Sequence, residues 1–132
     1  MTTKTQTVVP KALKTWFVIH FLTDMFFAIP LMVAPNWILG IFGWSSIDPF
    51  TARLASAALF GIGIESFLAR DANLEIYRSM LNLKVIWSLG AVTGILLSLI
   101  QGAQDRPWFA WVILSIFVGF NIVWVYWRTR LK

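Results

Sequence analysis

Five side chains able to do acid–base or hydrogen-bond chemistry stand inside otherwise apolar sequence: His20, Asp24, Glu65, Lys84 and Asn121. His20 and Asp24 are four residues apart, a spacing that puts both on one face of a helix. An imidazole oriented by a carboxylate is the arrangement of a general acid or base. A buried acid near a lysine is either a charge pair or a place where a proton or ligand binds. The run holding the first two, WFVIHFLTDMFFAIPLMV (residues 16–33), is otherwise apolar and long enough to cross a bilayer. A carboxylate near the middle of such a helix is unfavourable by roughly 2.5–3.5 kcal/mol on insertion scales. Groups from other parts of the chain must offset that.

The elements that would position these groups follow from composition. Of 132 residues, 58% are hydrophobic and 13% charged, too little charge for the surface of a water-soluble domain this small. The apolar residues fall in four blocks, about 16–33, 51–69, 81–100 and 108–127, each near spanning length. This predicts an all-α, integral membrane four-helix bundle forming one domain over 1–132. There are no cysteines, so disulfides and thiolate chemistry are excluded. The net charge of +5 comes from basic residues flanking the blocks rather than from a basic face, which argues for anionic lipid and against nucleic acid as the partner.

The first block lacks a small-x-small cleavage site and holds His20 and Asp24, so it reads as an uncleaved span, with Pro30 near its far end. Residues 34–50 contain no Lys or Arg but two tryptophans, Trp37 and Trp44. A short interfacial helix over about 36–43 is expected there, ended by Gly43 in a left-handed cap. Asp48-Pro49 has the form of an N-cap followed by proline at the first helical position. The second block is rich in small residues (Ala55, Ser56, Ala57, Ala58, Gly61, Gly63, Ser66), which suit close helix packing and predict a place at the bundle's centre. Glu75 and Arg78, three apart, suggest that helix resumes ahead of the third block. Ser88, Thr93 and Ser98 read as packing groups, and Trp87, deeper than the other tryptophans, as a packed side chain.

Basic residues near the ends of the blocks set the expected orientation. Lys4, Lys11 and Lys14, then Arg70 and Arg78, then Arg128, Arg130 and Lys132 share one side; Arg106 and Arg53 lie towards the other. The positive-inside rule therefore places both termini in the cytoplasm. A rise of about 1.5 Å per residue then puts His20 and Glu65 roughly 6 Å deep, Asp24 roughly 12 Å, Lys84 about 5 Å and Asn121 roughly 9 Å. All five fall in the same half of the membrane. Pairings of Glu65 with Lys84 and of His20 with Asp24 are expected, around a cavity facing the cytoplasm.

His20, Asp24 and Glu65 are metal-ligand types, but a single histidine in H-x-x-x-D, with Lys84 competing, supports no metal site. No phosphate loop, nucleophile elbow or H-E-x-x-H occurs, and no cofactor is implied. Three functions fit, in this order. One is binding or transport of a small lipophilic or protonatable molecule through His20, Asp24, Glu65, Lys84 and Asn121, by a chain that self-associates. The next is a structural or accessory subunit. The last is a membrane enzyme acting on a lipid, with His20 as acid or base oriented by Asp24. The balance leans away from an enzyme.

From Pro35 to Arg70, the run P-N-W…F-G-W…D-P-F-T-A-R-L-A-S-A-A-L-F-G-I-G-I-E-S resembles small prokaryotic four-helix membrane proteins of unknown function, loosely similar to the DoxX-like group. The resemblance covers about a quarter of the chain, and implies a bundle in the plasma membrane of a prokaryote with no assured activity. His20, Asp24 and Pro30 of the first block are similar to the pattern in EXPERA-type sterol-binding membrane proteins. That likeness implies a pocket for a lipophilic ligand facing buried acids.

Overall fold

A computed structural model describes residues 8–102 and 107–131; Lys4, Arg106 and Lys132, used above to set orientation, lie outside the described residues. The described chain forms α1 (Lys11–Val33), α2 (Pro35–Ile41), α3 (Pro49–Leu68), a 3₁₀ turn over Ala69–Asp71, α4 (Leu74–Gln101) and α5 (Phe109–Arg130). Four of these helices are long and apolar enough to cross a membrane, the third taken with its 3₁₀ turn. Their outward faces carry large apolar side chains, among them Phe26, Leu54, Ile86 and Ile122. The long helices alternate in direction, so the start of α1 and the end of α5 lie together at one end of the bundle, here the terminal end, and the end of α2 meets the start of α5 at the other, the distal end.

Local chemistry sets the boundaries. Asp48 accepts from the Phe50 N–H at 3.1 Å and from the Thr51 hydroxyl, capping α3 with Pro49 at its first position. The Thr51 hydroxyl, with the Phe50 and Thr51 backbone N–H groups, holds the exposed Asp48 carboxyl below its ordinary value. Gly43, at φ +100°, closes α2: its N–H reaches the Gly40 carbonyl while the Trp44 N–H reaches that of Leu39. A Cβ at Gly43 would stand 2.8 Å from Trp108, so glycine is needed for space as well as for φ. Two helices begin well before their apolar blocks. α1 starts at Lys11 rather than Trp16, and α4 starts at Leu74 because Asn73 caps it by accepting from the Ile76 N–H.

The helices pack as two close pairs, α1 with α3 and α4 with α5. Small residues make the first pair possible. Ser56 donates to the Ala28 carbonyl at 2.6 Å, and a Cβ on Gly63 would lie 2.7 Å from the Asp24 Cβ. Only one stripe of α3 serves this contact: Ala52, Ser56, Gly63 and Ser66 are buried, while Ala57 and Gly61 are exposed. The expected central position of this helix is therefore corrected. It lies at the flank, with one small-residue face inward and the other turned away from the bundle.

At the terminal end the two pairs meet in a filled core of Leu13, Phe17, Tyr77, Leu81 and Trp124. Phe17 stacks on Tyr77 at 4.3 Å between centroids and meets Trp124 edge-on at 5.9 Å. At the distal end the pairs meet through aromatic rings, with Phe42 stacked on Phe109 at 3.7 Å.

Candidate functional site

The polar groups converge just beyond the terminal core. Lys84 is fully buried, and its Nζ donates to His20 Nδ1 and to Ser66 Oγ, each at 2.5 Å. Its charge also lies 4.7 Å from the Phe17 ring and 4.8 Å from the Trp124 ring. Because ammonium has only donors, His20 Nδ1 must accept and the ring proton sits on Nε2. That nitrogen faces Asp24 Oδ1 at 3.5 Å. On the other side, Ser88 donates to the Lys84 carbonyl at 2.7 Å and accepts from Asn121 Nδ2 at 2.9 Å. α1, α3, α4 and α5 thus each supply a member of one connected cluster, as expected for groups that cannot find water in an apolar interior.

Four of the five expected residues, His20, Asp24, Lys84 and Asn121, come together in this way. Glu65 does not. It is exposed on the outer flank of α3, and its expected pairing with Lys84 is replaced by His20 and Ser66. The reason is angular: about 100° of rotation separates successive helical residues, and Ser66, not Glu65, lies on the stripe facing α1. Ser66 and Ser88 were not anticipated as partners. The signal for Ser66 was its register with Ala52, Ser56 and Gly63.

Beyond the cluster, towards the distal end, the two helix pairs diverge around a cavity of about 690 Å³. Its wall is mostly apolar, with Phe27, Leu31, Leu59, Ile95, Ile113 and Phe117 among the lining side chains. His20, Thr23 and Asp24 form its polar floor, and Thr51, Trp44 and Pro107 mark its far extent. Gly94 and Ser98 of α4, with Ala55 of α3, line it while remaining exposed, so it communicates with the surface between those helices. The expectation of a cavity on the side of the termini is corrected: the bulky rings of Phe17, Tyr77 and Trp124 fill that side. Asp24 is 5% exposed, and its Oδ2 has no hydrogen-bond partner among the described residues. Trp87, expected to be a packed side chain, lines the same cavity with its Nε1 likewise unpartnered.

Compared with protein-family models, curated proteins and solved structures, the chain matches none.

Proposed function

We propose that this is a multi-pass membrane protein that binds or transports a small lipophilic or protonatable molecule in the cavity between its two helix pairs. One observation carries the reading: a large apolar cavity ends on a buried carboxylate that has an unpartnered oxygen. Native mass spectrometry from mild detergent tests it. A bound lipid or small molecule, lost when Gly94→Leu or Ala55→Leu occupies the cavity, is the expected result. A chain that carries nothing, and whose variants behave alike, overturns it.

The same reading places both termini in the cytoplasm of a prokaryote and the bundle in its plasma membrane. The basic residues Lys11, Lys14, Arg70, Arg128 and Arg130 at the terminal end support that orientation. The likeness to the DoxX-like and EXPERA groups belongs to this proposal too. With that orientation the polar cluster lies in the cytoplasmic half, and the ligand approaches from the outer leaflet through the gap between α3 and α4. Reporter fusions after Gly102 and after Lys132 should report opposite sides. Glu65 favours the second reading, of an accessory subunit or self-associating chain: it is exposed beside Gly61 on the outer face of α3, where a partner helix would pack closely.

A further inference from the structure

The way into the cavity identifies what occupies it, given the membrane-spanning, ligand-binding reading above. Three approaches are bridged by rings. Phe17, Tyr77 and Trp124 fill the terminal end, and Phe42 stacks on Phe109 at the distal end. Between α1 and α5, Trp16 meets Phe120 and Phe27 meets Phe109. The fourth approach runs between α3 and α4, which are not a closely packed pair. Among the described lining residues four are exposed, Thr51 and Ala55 of α3 and Gly94 and Ser98 of α4. All four are small, and they stand in two tiers. Thr51 and Ser98 lie within one turn of the distal ends of their helices; Ala55 and Gly94 lie one turn deeper. A Cβ at Gly94 would meet nothing within 4 Å. The neighbouring Leu54 and Leu97 are exposed as well, so this portal opens on an apolar outer face.

Depth agrees with the portal. From Ser98 to Trp87 the lining descends α4 by about 16.5 Å, at about 1.5 Å per residue. Half of a hydrocarbon core about 30 Å thick is about 15 Å. A cavity entered sideways and as deep as one leaflet matches the hydrocarbon chains of that leaflet. The polar groups of its floor are paired or turned away. Thr23 donates to the Ile19 carbonyl at 2.9 Å, and His20 joins Lys84 to Asp24. Asp24 Oδ2 is turned towards α3, where a Cβ on Gly63 would lie 3.1 Å from it. An empty space of this kind deprives its lining of packed neighbours, and water fills apolar walls poorly. We propose that the cavity holds an acyl chain of a bilayer lipid, which enters between α3 and α4 from the leaflet at the distal end and leaves its headgroup outside, level with Thr51 and Ser98. The headgroup stays out because the walls offer it apolar side chains in place of water.

Photolabelling of the full chain in phosphatidylcholine nanodiscs tests this. Two tracer phosphatidylcholines are used, one with a diazirine at the end of its acyl chain and one with it beside the ester, and peptide mapping locates the adducts. The chain-end probe should label Trp87, Ala91 and Phe117 inside the cavity, and the ester-side probe residues near Thr51 and Ser98. Gly94→Leu and Ala55→Leu narrow the portal and should abolish the inner adducts. Gly119→Leu, at an exposed and open site on α5, should leave them in place. Inner adducts that survive both portal variants would overturn entry between α3 and α4, and ester-side adducts at Ala91 would overturn the exclusion of the headgroup. If the chain-end probe labels only outward residues such as Ile86 and Ile122 while native mass spectrometry still finds a bound small molecule, the acyl chain is the wrong occupant and the ligand-binding reading stands. If neither inner adducts nor a bound molecule is found, that reading fails as well.

Discussion

The terminal and distal halves of this bundle are built from the same residue types, yet one is filled and the other hollow. In the terminal half, Leu13, Phe17, Tyr77, Leu81 and Trp124 are fully buried against one another. In the distal half, Ile95, Ile113 and Phe117 face a void of about 690 Å³. Hydrophobicity alone does not distinguish them. Position does: at the terminal end the rings of Phe17, Tyr77 and Trp124 pack between the helix pairs, whereas at the distal end Phe27 and Phe117 stand around the cavity and the pairs meet beyond it at Phe42 and Phe109. The polar cluster lies at the boundary, closed on one side and facing the cavity on the other.

Single substitutions test that contrast. Trp124→Ala should be the most damaging, about 3–5 kcal/mol, because it empties a packed site that cannot collapse. Ile113→Ala should fall below the usual range of about 2–5 kcal/mol, since its side chain already faces a void. Thermal midpoints in detergent compare the two, and equal losses would mean that the halves are not packed differently.

Lys84→Met should be next, at about 3 kcal/mol, because Asp24 would keep a buried charge with no counter-ion. Adding Asp24→Asn should recover much of the loss, as removing both charges of a buried pair often does. A double variant no more stable than Lys84→Met would show that the two charges are not coupled through His20.

Two glycines sharpen the comparison further. Gly63→Ala should lose about 1–3 kcal/mol by overpacking, since the Asp24 Cβ it would meet is tied to the α1 backbone and cannot swing away. Gly94→Ala, with nothing within 4 Å of the new Cβ, should be neutral or gain up to about 1 kcal/mol in helix propensity. Equilibrium unfolding in mixed micelles of both variants decides it; matching losses would place Gly94 in a packed contact.

The smallest effect is at the α3 cap, outside both halves. The Asp48 carboxyl, held below its ordinary value chiefly by the Thr51 hydroxyl, is depressed in the folded state. Its contribution is therefore present above the ordinary carboxylate value and lost as pH falls through the lowered one. Asp48→Asn keeps an acceptor for the cap and should flatten that part of the curve of midpoint against pH. An unchanged curve would remove the cap from the account.

Much of the frame was legible in sequence because length and apolarity map directly onto spanning helices, and because Asp48-Pro49 and Gly43 each have a local backbone reason. The gathering of His20, Asp24, Lys84 and Asn121 was legible through depth, which follows from counting residues. Direction around the helix axis was not, since depth says nothing of angle; that is why Glu65 was expected where Ser66 stands. A cavity beside the polar cluster was expected, but neither its distal side nor its apolar lining was legible. A side chain lining a void and one facing lipid are drawn from the same apolar set, so Ile95 or Ile113 carries no mark of its role. Trp87, read as packed, does meet the Phe117 ring, but that it also lines the cavity was not legible.

The hollow half also has a volumetric consequence. Unfolding eliminates internal void, so the folded chain occupies more space than its unfolded form plus the water it displaces, and the difference grows with the void. Where the cavity of about 690 Å³ is unfilled, hydrostatic pressure therefore acts first on the distal half, and only later on the close-packed aromatic end. An occupant that fills the space removes most of that susceptibility. In this bundle compressibility and occupancy are two readings of the same state.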